Sequence, residues 1–171
     1  MRILKCQKGQ AVVEFALMFP LQLLVTMVIL QLAFLYVAGQ VVHYAAFSAA
    51  RAELVGESAE EAAEAICTPV SGIRDLGTGT QPVLYPGWGN LDRSEISRER
   101  TSVDIVTPLS ADAEFVEVEV TCNVELIFPV ANKIVMWIPL GADESYGEIN
   151  GIPHVSVVCP RRMPVPWRKG S

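Results

Sequence analysis

From Ala11 to Ala38 the chain is apolar at most positions, and its single charged side chain there is Glu14. As a helix this run would extend about 42 Å, longer than the roughly 30 Å hydrocarbon core of a bilayer. It exceeds the apolar core of a signal peptide, typically about 7–15 residues, and no Ala-x-Ala-like cleavage site closes it. The pattern predicts one membrane-spanning helix over residues 10–38. Pro20 lies inside it and should kink it, because proline removes a backbone donor. No later stretch approaches this length.

After Gly39 the period becomes amphipathic. Val41, Ala45, Ala49, Ala52, Gly56, Ala59, Ala63 and Ile66 recur at steps of three and four, which predicts a helical stripe over 39–67. Glu53, Glu57, Glu60, Glu61 and Glu64 fall off it and fit a solvated face. The stripe is mostly alanine, so whatever packs there approaches closely. Gly56 and then Ser58-Ala-Glu-Glu61 predict a break and a fresh capping box.

Residues 68–100 read as loop, dense in glycine and proline up to Asn90, with the charged run from Leu91 to Arg100 as a solvated turn or short helix. "TSVDIVT" is a short strand candidate. In "EFVEVEVTCNVELIF" Val116, Val118, Val120, Cys122, Val124, Leu126 and Phe128 share one face, the signature of a strand with one buried side. Glu117, Glu119 and Glu125 fall on the wet side. "PVANKIV" predicts a proline-initiated helix. "HVSVVC" predicts a last strand, with Val155, Val157 and Cys159 on one face. The proline-rich basic tail from Pro160 onward reads as irregular and flexible. The fold class is α+β: one long N-terminal transmembrane and amphipathic helix packed on a small antiparallel sheet of three or four strands. The organisation is a leader over 1–9, the span over 10–38, a helical extension over 39–67 and a strand-rich domain over 68–171.

Charge orients this plan. Arg2, Lys5 and Lys8 precede the span, and the next Lys or Arg is Arg51. The positive-inside bias places the N-terminus in the cytoplasm and the C-terminal domain outside it, on a single-pass plasma-membrane protein. Net charge is −6, and without the three leader cations it would be −9. So acidic a domain is a poor nucleic-acid binder. Of the four cysteines, Cys6 falls on the cytoplasmic side. Cys67, Cys122 and Cys159 fall where an oxidising compartment permits a disulfide, and no CxxC motif occurs. One bond among these three is expected, with Cys67, at the end of the helix that should cover the apolar strand face, joined to a strand cysteine.

The N-terminus also carries a pattern: a basic leader, Gly9, then Gln10-Ala-Val-Val-Glu14 and the apolar helix. This resembles the processing site of type IV prepilins, in which a membrane peptidase cuts after the glycine and the fifth mature residue is glutamate. The run "KGQAVVEFALMFPLQLL", with Glu14-Phe15 and Pro20, is similar to the TadE-like minor pilins, or pseudopilins, of tight-adherence (Flp-type) pili. The alanine-rich "AAFSAARAEL" fits as well, so the resemblance covers about residues 8–54. It implies cleavage between Gly9 and Gln10 by a prepilin peptidase. It further implies assembly through Glu14, Phe15 and Pro20 with other pilin subunits and the assembly platform. The residues support this independently. Glycine gives a protease an unhindered backbone. A carboxylate in an apolar span is costly and implies a partner, here the new amine of Gln10 in a neighbouring subunit.

Two other readings stand beside it. One is a permanently anchored binding module with an interfacial glutamate. The other is a pseudopilin of a type II secretion system. His43 and His154 have no ligand-spaced Asp, Glu or Cys near them, so no metal or other cofactor is expected. Trp88 in "YPGWGN" reads as a loop anchor. There is no G-x-S-x-G, P-loop or dinucleotide fingerprint, and nothing predicts an enzyme.

Overall fold

A computed structural model describes residues 7–72, 93–110, 113–137, 144–149 and 151–165. Helix α1 runs from Gln7 to Val55, α2 from Ala59 to Cys67 and α3 from Arg93 to Arg100. Strands β1 (Thr101–Thr107) and β2 (Phe115–Glu125) follow, then α4 (Pro129–Val135), β3 (Glu144–Ile149) and β4 (Ile152–Pro164). The four strands form one antiparallel sheet in the order β1-β2-β4-β3.

The alanine stripe sets the distance between the two layers. Ala38, Ala45, Ala46, Ala49 and Ala50 are buried with Val42 and Leu54 against Val116, Val118, Val120, Cys122 and Val124 of β2 and Val155, Val157 and Cys159 of β4. Methyl side chains on the helix let its backbone approach the valines, so the sheet buries one face and leaves the other partly wet. Among the described residues, α1 and α2 pack on that buried face.

The break at Gly56 is a Schellman motif. Gly56 has φ +81°, its N–H bonds the Glu53 carbonyl at 3.2 Å, and the Glu57 N–H bonds the Ala52 carbonyl at 2.9 Å. Ser58 then caps α2, accepting from the Glu61 N–H at 3.3 Å. α2 continues the apolar stripe through Ala59, Ala63 and Cys67. α4 begins with proline at its first turn, as its sequence predicts.

Four expectations need correction. The tail is not irregular from Pro160: β4 extends through Pro160 to Pro164, paired with Glu119 to Phe115. Among the described residues β3 pairs only with residues 152–157, so beyond them that edge of β4 has no described partner strand, a setting where a proline gives up no sheet bond. The run from Arg93 to Arg100 is a helix but not a solvated one. Ile96, Ser97 and Arg100 are buried, and Ser97 Oγ donates to the Glu64 carbonyl at 2.7 Å. Glu125 does not belong to the wet face. It is buried, and its Oε2 accepts from Arg100 Nη1 at 3.3 Å. The edge strand β3 was not foreseen, because Gly147 interrupts its short pattern. A Cβ there would overlap the His154 ring on β4.

The loop residues 73–92, with Trp88, lie outside the described residues, as do 1–6 with Cys6 and the end of the tail.

Candidate functional site: the N-terminal helix

α1 is one continuous element, and Pro20 does not interrupt it. Its proline lacks the donor that would bond the Ala16 carbonyl, but the helix resumes on both sides. Gly9 and Gln10 lie in its first turns, so the bond between them stands in helical backbone. Glu14 follows Gln10 by four residues and therefore shares a helix face with it. Phe15 is 67% exposed and stacks on Phe19, with ring centroids 5.4 Å apart and planes at 26°. Thr26 turns its hydroxyl inward, donating to the Gln22 carbonyl at 2.9 Å, which satisfies it where water is absent.

Burial divides α1 into two parts. Over residues 11–30 nearly every side chain is exposed, including Val12, Val13, Leu17, Met18, Leu21, Leu23, Val25 and Ile29. One window in this helix has a mean hydropathy of 2.2 and is only 11% buried. A core helix of that hydropathy would be covered, so this surface needs an apolar surrounding from outside the chain. The second part begins at Gln31, which is fully buried and accepts from the Phe128 N–H at 3.2 Å. From there to Leu54 the inner face of the helix lies on the sheet.

Residues 9–51, about a quarter of the chain, are similar to the family described as TadE-like protein. The TadE-like segment covers the bare part of α1 and most of the part docked on the sheet, and stops before the strands. No curated protein and no solved structure matches the chain. Among the described residues one helix, which contains this segment, is long and apolar enough to cross a bilayer.

The three cysteines of the domain sit together in the core. Cys67, Cys122 and Cys159 are all buried, and no disulfide joins them in this structure. The chain nevertheless brings two of them into contact. Cys67, at the end of α2, lies beside Cys122 on β2, and that contact together with burial pushes the Cys67 thiol well up. Cys122 Sγ accepts from the Thr101 hydroxyl at 3.9 Å. Among the described residues no three His, Cys, Asp or Glu side chains gather to hold a metal. His43 is exposed on α1, whereas His154 is buried in β4.

Sequence reasoning missed the junction at Gln31. A glutamine within an apolar run is a weak signal by itself. Only its meeting with Phe128, ninety-seven residues away, shows where the domain begins to cover the helix.

Proposed function

We propose that this chain is a minor pilin, or pseudopilin, of a Tad (Flp-type) pilus. A prepilin peptidase trims it after Gly9, and it assembles through the bare part of α1. The observation that supports this reading best is the exposed apolar helix over 11–30, whose only charge is Glu14, inside the TadE-like segment. A helix that bare is stable in lipid or against other helices of its kind. A carboxylate on it suits a helix that exchanges lipid for protein neighbours. Cleavage leaves an amine on Gln10, one turn from Glu14 in its own chain. The same pair in adjacent subunits, offset along the axis, neutralises both groups inside the bundle. The domain over the sheet then faces away from the cytoplasm, as the leader cations direct. The role is structural, with no reaction of its own.

The test is co-expression with a prepilin peptidase and the other pilus subunits, followed by mass spectrometry of the membrane fraction. The expected chain starts at Gln10 and stays membrane-bound. Glu14→Leu should insert and be cut like wild type, because the scissile bond and leader are unchanged. It should lose co-purification with partner subunits and support few pili. A chain that keeps residues 1–9 would instead be a permanently anchored module. A Glu14→Leu chain that co-purifies and supports pili like wild type would overturn the role given to Glu14.

A further inference from the structure

α4 lies at the Gln31 junction, packed on α1 through the same corner that supplies the Phe128–Gln31 bond. Its position is firmly held. Asn132 Nδ2 donates to the Leu126 carbonyl at 3.0 Å, Val135 is fully buried, and the Tyr146 hydroxyl from β3 donates to the Val135 carbonyl. Yet the other side of this short element is apolar and bare. Ile134 is 36% exposed, Met136 43% and Trp137 90%, beside an exposed Lys133. Lys133, Met136 and Trp137 are three and four residues apart and so share one side.

The distance along α1 gives this surface an occupant. From Ala11, where the exposed apolar surface begins, to Gln31 is a rise of about 30 Å, the thickness of the hydrocarbon core. If residues 11–30 cross the bilayer, Gln31 and α4 stand at its far surface. α4, in contact with α1 at Gln31, then lies next to the end of its bare part. Tryptophan with lysine, a methionine and an isoleucine is a composition that settles at a lipid headgroup boundary. The indole takes the interface, and the amine stays among phosphates.

We propose that α4 with Met136 and Trp137 is a second, interfacial membrane contact. It seats the domain on the bilayer surface and fixes its height there. This rests on the membrane-anchor reading of α1. The bilayer span is accordingly shorter than residues 10–38: it ends near Leu30, and residues 31–38 already belong to the domain.

The test uses the full chain with Trp88 and Trp167 replaced by phenylalanine, so that Trp137 is the only indole. It is reconstituted at one copy per lipid nanodisc containing anionic phospholipid. A matched chain with Trp137→Phe and Val106→Trp, on the opposite end of the sheet where Val106 is exposed, serves as the distant reference. Lipids carrying a nitroxide near the headgroup are the quencher. Incorporation of the chain into discs reports the anchor by itself. Given incorporation, Trp137 should emit at shorter wavelength than the Val106→Trp indole and be quenched several-fold more. Equal quenching of the two in incorporated chains overturns the proposal while leaving the anchor intact. Quenching of Trp137 seen only at several copies per disc would assign the surface to a second subunit and overturn it as well. Failure to incorporate would overturn both readings.

Discussion

At the scale of single residues, the least replaceable group outside α1 is the Arg100–Glu125 pair. Both side chains are nearly inaccessible, and Arg100 Nη1 also donates to the Ser71 carbonyl. Gly72 closes over them with φ +107°, and a Cβ there would overlap Arg100 Nη1 and Glu125 Oε2. Removing one partner strands a buried charge, so Glu125→Ala should destabilise the domain by about 3–5 kcal/mol in urea unfolding. His154 faces Glu125 across the β2–β4 ladder, with Arg100 near enough to act on it. Burial, and Arg100 after it, hold its pKa below 6.5, against a backbone contact at Ile152. Below pH 6.5 the unfolded chain therefore binds a proton that the folded chain resists. Stability should be full above this value and fall as pH drops through it, and His154→Gln should flatten that part of the pH–stability curve. None of this was legible in the sequence. Glu125 continues the alternation of Glu117 and Glu119, and only Arg100, arriving at the end of α3, makes it a buried partner there.

At the scale of elements, much was legible, because the signals were local. The turn at Gly56, the cap at Ser58, the proline start of α4 and the buried faces of β2 and β4 each follow from residues within one or two turns of them. Gly56→Ala keeps both helices but places a Cβ at φ +81°, so it should cost about 1 kcal/mol, read as a lower urea midpoint with unchanged slope. Two elements were not legible, β3 and the last third of β4. Their prolines and glycine argue against strand when read alone. Pairing with β2 and His154 overrides that local preference.

At the scale of the whole molecule, the sheet and the helix layer meet through the alanine–valine seam and a few polar contacts such as Phe128 with Gln31, and among the described residues no disulfide joins them. The contact of Cys67 with Cys122 provides a place for one, between α2 and β2. In an oxidising compartment we expect these two to form the disulfide, leaving Cys159 reduced. The bridge would close a loop of about 55 residues and by the chain-entropy estimate add about 4 kcal/mol. Alkylation of the unfolded, unreduced domain should then label Cys159 and spare Cys67 and Cys122. Labelling of all three would exclude the bond. The sequence suggested a bridge from Cys67 but did not choose its partner, because Cys122 and Cys159 both point to the helix-covered face.

The continuity of α1 across both halves of the molecule has a mechanical consequence. A pull on the N-terminal end is carried along a single rod past Gln31, as far as the contacts of Phe47 with Arg161 and of Glu53 with Leu109. β2 runs back beside that rod from Phe115 near its far end, and the chain just after it meets Gln31 through Phe128. The load therefore acts as shear over the whole alanine seam, where the contacts yield together and not one after another. A domain held this way resists traction along its helix better than peeling from either end.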